Sequence, residues 1–106
     1  MRLLIVDDEH HIVNYLTVLI AEQQFPELEI YKCYSGKEAL SIVRTSLIDL
    51  MLLDIHMPGM SGLDVAASVT KLLPRCRIIF LTAYDRFDHV YESNKLKHTR
   101  YLLKTE

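Results

Sequence analysis

The 106-residue chain has no tryptophan, only three glycines and three prolines, and only two cysteines. No repeat, linker or low-complexity segment interrupts it, and its length suits one domain able to bury roughly 60–70% of its unfolded surface. Cys33 and Cys76 form no CxxC pair, and no histidine stands at metal-ligand spacing from them. That excludes a disulfide framework and fits reduced, buried thiols in a cytosolic protein. A basic excess is also lacking: the net charge of −2 and pI near 6.2 argue against this segment gripping nucleic acid. No apolar stretch approaches the ~20 residues needed to span a bilayer. The N-terminal apolar run stops at Asp7-Asp8-Glu9, too short for a signal-peptide core, so a cytoplasmic location is expected.

What the chain does have is a set of short apolar runs that each end on a polar residue. Leu3 to Val6 leads into Asp7-Asp8, Leu50 to Leu53 into Asp54, Ile78 to Leu81 into Thr82, and Tyr101 to Leu103 into Lys104. Continuous apolar runs separated by helix-sized segments predict strands of a buried parallel sheet. Between them, helical spacing predicts helices over about Glu9–Gln24, from the Ser35-Gly36-Lys37-Glu38 capping box to near Thr45, and from the Ser61 cap to Pro74. Inward-facing residues are expected at Ile12, Tyr15-Leu16 and Leu19-Ile20, at Ala39-Leu40 and Ile42-Val43, and at Leu63, Ala66, Val69 and Leu72-Leu73. Leu28 to Tyr34 has the mixed pattern of a strand near the sheet edge, Pro58 to Gly62 is turn chemistry, and a thin stripe predicts a last helix over about Asp85–Lys95. Four βα units followed by a strand imply a doubly wound α/β sheet with helices on both faces. One face looks short of a helix, as if the segment were cut from a longer chain.

In such a sheet the strand C-termini share one edge, where ligands bind. Asp7, Asp8, Asp54, Thr82 and Lys104 are therefore expected in one pocket. Each could stand alone as a helix-capping acid, a turn residue or a solvated charge. Their recurrence at the ends of four predicted strands argues against coincidence. Clustered carboxylates cannot all remain ionised without a cation. Mg²⁺ suits them, since it takes one or two carboxylates and keeps waters for phosphate oxygens. An Asp carboxylate is also a competent nucleophile toward phosphorus. A metal, the Lys104 ammonium and the Thr82 hydroxyl would stabilise the transferring group by position and charge.

Leu4-Ile5-Val6-Asp7-Asp8-Glu9, Leu52-Leu53-Asp54-Ile55-His56-Met57-Pro58-Gly59-Met60-Ser61-Gly62, Leu81-Thr82-Ala83-Tyr84 and Tyr101-Leu102-Leu103-Lys104 together resemble the response-regulator receiver domain of two-component signalling. The likeness runs over 1–106, through the fifth strand, with the final helix and output domain missing from this segment. Within receivers, the chain looks most like those of AraC-type transcriptional regulators. The resemblance implies a flavodoxin-like five-stranded sheet of order 2-1-3-4-5. It implies Asp54 as phosphoacceptor, with Asp7, Asp8, Asp54 and the His56 backbone carbonyl on Mg²⁺, or Mn²⁺ in its place. Lys104 and Thr82 would contact the phosphoryl group, Tyr101 would be the aromatic switch that follows Thr82, and His56 and Tyr84 would flank the pocket. A receiver of this kind is not an enzyme beyond its own phosphorylation and dephosphorylation. Its partners would be a sensor histidine kinase, a C-terminal DNA-binding output domain and a second copy in a full-length homodimer.

Some positions depart from that family. Thr105 follows the lysine where the family has Pro, and Lys97 to Arg100 replace its Gly after the fourth helix. Of the histidines, His89 and His98 read as surface residues, while His10 and His11 follow the acidic pair and border the pocket. Other functions fit less well. A Mg²⁺-dependent aspartyl phosphatase resembling the haloacid dehalogenases needs Asp-x-Asp after the first strand, and here the acids are adjacent. A flavodoxin-like nucleotide binder needs amides for phosphate where Asp7-Asp8-Glu9 would repel it. A phosphorylation-independent docking module is the remaining alternative.

Overall fold

Strands form where β-branched and leucine side chains can be buried on both sides, and helices where a polar cap precedes an apolar stripe. A computed structural model of the chain describes the backbone of residues 1–82 and 99–103, and the side chains of residues 1–81. The elements are β1 (Arg2–Val6), α1 (His10–Glu22), β2 (Glu29–Cys33), α2 (Gly36–Thr45), β3 (Leu50–Asp54), α3 (Gly62–Leu72), β4 (Arg77–Thr82) and β5 (Thr99–Leu103). The strands form one parallel sheet of five in the order β2-β1-β3-β4-β5, as expected. The helix predicted over 85–95 lies outside the described residues.

The period of two along each strand divides the core into two layers. Leu4, Val6, Met51, Leu53, Ile78 and Phe80 point to the side covered by α2 and α3, where they join Ala39, Val43, Val65 and Val69. Leu3, Ile5, Leu52 and Leu81 point to the opposite side and meet Val13 of α1. β2 and β5 lie at the edges of the sheet. Accordingly, β2 alternates weakly, with only Cys33 buried.

Two helices start as predicted. The Ser35 hydroxyl accepts from the Glu38 N–H (3.2 Å), and Ser61 accepts from the Asp64 N–H (3.3 Å). The Glu38 carboxylate accepts from the Tyr34 N–H (3.2 Å), one residue before the cap, so the box closes on the preceding amide. By contrast, α1 starts at His10, and its cap residue Glu9 makes no side-chain capping bond. Its buried side is Val13, while Ile12, Leu16 and Ile20 pack beside it. Tyr15 and Leu19, expected inward, are 54% and 38% exposed, because the stripe Ile12-Leu16-Ile20 lies about 100° away from them. On α3 Ala66 and Val69 are buried as expected and Val65 joins them, whereas Leu72, also expected inward, is 47% exposed at the last turn. Pro74 disfavours helical backbone at Leu73, whose ψ is 79°.

Both cysteines are buried and free, as their spacing implied. Burial pushes the Cys33 thiol up to about 12, with the Glu38 charge adding, and the Cys76 thiol up to about 11, with Asp49 adding. Folding therefore favours the neutral thiols over an ordinary value of 9.0. Their contribution is complete below that value and declines as pH rises through it toward the folded values. Iodoacetamide should leave both thiols unmodified in the native protein at pH 8 and label both in urea. Rapid native labelling would contradict their burial.

Candidate functional site

Parallel pairing fixes which residues meet at the C-terminal edge of the sheet. Val6 pairs with Leu53, so Asp7, one residue past β1, lies level with Asp54, the last residue of β3. Asp54 pairs with Leu81, and Thr82 closes β4 one residue further on. Thr82 in turn pairs with Leu103, the residue before Lys104. Lys104, Tyr84 and Thr105 lie outside the described residues, as do the side chains of Thr82 and Tyr101.

Asp7 and Asp54 are the two buried charged residues among those described, at 0% and 2% exposure. They continue the alternation of Leu3-Ile5 and Leu50-Leu52, which places both on the α1 side of the sheet. Local amides orient them. The Glu9 N–H donates to Asp7 Oδ1 (2.9 Å), and the His56 N–H donates to Asp54 Oδ1 (3.3 Å). Removal of two neighbouring carboxylates from water favours a cation or a proton between them.

Carboxylate oxygens of Asp7, Asp8 and Glu9 lie within 4.8 Å of one another. Glu9 was not among the expected metal residues; its place directly after the acidic pair is the signal that would have found it. The donors are all hard oxygens, which suits Mg²⁺ better than a softer metal. His56 is exposed, consistent with a side chain at the rim. Of the other histidines, His10 stacks on Tyr34 with ring centroids 3.9 Å apart and planes 21° from parallel. His11 Nε2 stands 3.8 Å from Glu9 Oε2. The second contact places the His11 ring beside the acidic turn.

Gly59 has φ of +81°, a left-handed conformation that favours glycine. Among the described residues, no helix is long and apolar enough to cross a membrane.

The sequence profile of the response regulator receiver domain matches residues 3–106. The chain belongs to that family. Among curated relatives it is 32% identical over 95 residues to the sporulation initiation phosphotransferase F of Bacillus subtilis, covering 90% of this chain and 74% of that protein. It is 35% identical over 104 residues to the positive alginate biosynthesis regulatory protein of Pseudomonas aeruginosa, covering 98% of this chain but 41% of the relative. The receiver thus spans less than half of some of its relatives and most of others.

Among solved receivers, the response regulator TrrA of Thermotoga maritima in complex with Mg²⁺ and BeF is 36% identical, with a TM-score of 0.81 over 96% of this chain and 84% of that one. TrrA has also been solved with the histidine kinase ThkA, and that copy gives a TM-score of 0.79 over the same shares at the same identity. An AraC two-component transcriptional regulator of Clostridium phytofermentans is 28% identical, with a TM-score of 0.82 over 100% of this chain and 81% of that one. The resemblance seen in the sequence, including its AraC-type cast, agrees with these matches.

Proposed function

We propose that this receiver is a phosphoacceptor switch in which Asp54 takes a phosphoryl group from a histidine kinase. The observation that carries it is the register at the sheet edge. Asp54 is buried at the end of the central strand, level with Asp7 on one side and one residue short of Thr82 on the other. A carboxylate oxygen of Asp54 attacks phosphorus, the P–N bond of a phosphohistidine breaks, and the imidazole leaves with that electron pair. The product is an aspartyl phosphate.

Asp7, Asp8 and Asp54, with the His56 carbonyl, are the residues that would hold Mg²⁺, and a Glu9 carboxylate oxygen lies within 4.8 Å of those of Asp7 and Asp8. When bound, the ion supplies positive charge to the phosphoryl oxygens. The Asp54 side chain presents the nucleophile, with its orientation set by the His56 N–H. Lys104 would pair with a phosphoryl oxygen, and Thr82 would hydrogen-bond it and move with it. Tyr101, two positions before the end of β5, would rotate as Thr82 moves, a local charge biasing a two-state element. His56 and Tyr84 would flank the group. The TrrA–ThkA complex supports a kinase as donor, and the complex of TrrA with Mg²⁺ and BeF supports the metal. A DNA-binding output domain and phosphorylation-dependent dimerisation of the full-length protein complete the proposal, in keeping with the AraC-type relative.

Intact-mass measurement after acetyl phosphate treatment, with and without Mg²⁺, tests it. One added phosphoryl group that requires the metal is expected. A wild-type protein that takes up none would favour a docking module that does not use phosphorylation. Asp8→Ala should weaken Mg²⁺ binding and slow phosphorylation together, each by roughly tenfold or more, as for lost charge at a shallow oxygen site. Unchanged Mg²⁺ affinity in that variant would place the ion elsewhere.

A further inference from the structure

Gly59 in the β3–α3 loop and Gly62 at the start of α3 are favoured for different reasons. Gly59 has φ of +81° and nothing within 4 Å of where a Cβ would stand, so its need is conformational. At Gly62 the need is space. A Cβ there would fall 2.1 Å from the Asp54 carbonyl oxygen, 2.8 Å from the Asp54 carbonyl carbon and 2.8 Å from Ile55 Cα. All three are backbone atoms of the segment that carries the carboxylate, so no side-chain rotation could relieve the contact.

The same segment is held on both sides. The Ile55 N–H donates to the Leu81 carbonyl on β4 (3.2 Å), and the Ile55 carbonyl accepts from the Gly62 N–H (2.8 Å). The Ser61 cap, through its bond from the Asp64 N–H, fixes where α3 begins. From these contacts we infer that Gly62 is a positioning residue for Asp54. By letting the first turn of α3 seat directly on the Asp54–Ile55 peptide, it sets where the carboxylate stands relative to Asp7. The inference rests on Asp54 being the acceptor. A methyl group at this position moves the peptide, and with it the carboxylate and the His56 N–H that orients it. Misplacement by about 1 Å can cost a reaction on the order of 100-fold.

Gly36 supplies a matched control. A Cβ there would meet Val65 Cγ2 at 2.7 Å and Met60 Cβ at 3.1 Å, a crowding as close to the core but against side chains rather than the acceptor peptide. Wild type, Gly62→Ala and Gly36→Ala are compared for urea midpoint and for phosphoryl uptake from acetyl phosphate at saturating Mg²⁺. Gly62→Ala is expected to be at least tenfold slower than a Gly36→Ala protein of equal or lower stability. Uptake in the two variants that simply tracks their stability would overturn the inference. Failure of the wild type to take up phosphoryl would instead overturn the assignment of Asp54.

A wild-type measurement decides the matter should Gly62→Ala not fold. Hydrogen exchange at the Gly62 amide is expected to slow at least tenfold when Mg²⁺ and beryllofluoride bind, because its acceptor is the carbonyl of the residue after Asp54. Exchange that is unchanged while the Asp54 amide resonance shifts would show that α3 is not coupled to the acceptor.

Discussion

Asparagine in place of Asp54 should abolish phosphoryl uptake and leave the fold intact or slightly stabilised. The two side chains are nearly isosteric, and an amide oxygen can still accept the His56 N–H that now reaches Asp54 Oδ1 at 3.3 Å. What disappears is the anionic oxygen that would attack phosphorus. Asp54 and Asp7 are also buried on adjacent strands, so removing one charge relieves like-charge repulsion that the fold otherwise has to offset. Intact mass after acetyl phosphate and Mg²⁺ should therefore show no adduct, while the urea midpoint equals or exceeds that of the wild type. Equal labelling of wild type and Asp54→Asn would sink the assignment, and a collapsed fold would mean that Asp54 serves stability first.

Truncation of Phe80 should produce the largest loss of stability. Its side chain is fully buried in the layer beneath α2 and α3, on a strand paired with β3 on one side and β5 on the other. Phe→Ala in a core of this kind costs about 3–5 kcal/mol in lost transfer energy and residual cavity. A domain of this size is stable by about 5–15 kcal/mol. Phe80→Ala should consequently lower the urea midpoint by roughly a fifth or more. Phosphoryl uptake should fall as well, because Thr82 lies two positions along the same strand. Leu72→Ala, at the 47% exposed end of α3, should change stability by less than about 0.5 kcal/mol. Similar losses from the two variants would show that the core is not divided as described.

The strands that build the site were legible because each is buried on both faces and so appears as an unbroken apolar run. β1, β3 and β4 fall within one residue of the predicted ends. β5 was predicted from Tyr101 but begins at Thr99, since pairing of Thr99 with Ile78 and Arg100 with Ile79 uses backbone groups that a hydrophobic pattern cannot reveal. On the helices, periodicity gave existence and length but left the rotation uncertain by about one residue, or 100°. On α1 that is why Val13 was missed as core and Tyr15 and Leu19 were expected there, whereas on α3 the expected Ala66 and Val69 are buried and Leu72 is exposed because it ends the helix.

At the site, strand ends gave Asp7, Asp54 and Thr82 directly. The seat of Gly62 on Asp54 depends on where a loop returns in space, and no spacing rule encodes that. The bond from the Arg2 N–H to Asp49 Oδ2 (2.7 Å), at the opposite edge of the sheet, was invisible for the same reason.

Among the described residues, the helices on the two sides of the sheet bury unequal numbers of side chains, with a dynamic consequence. α1 contributes one fully buried side chain, Val13, whereas α2 and α3 contribute several each. Helices with few buried apolar contacts open at lower free energy than the sheet they cover, so amides of α1 should exchange before those of α2 and α3. Asp7, Asp8 and Glu9 lead straight into α1, and Glu9 is its cap residue. A cation held by these acids would tie the looser layer to the sheet edge, and by mass action it would raise the cost of every opening that breaks the site. Occupancy of the acidic turn would then be felt along the whole of α1, as slower local unfolding of a helix that touches the phosphoryl chemistry only at its first turn.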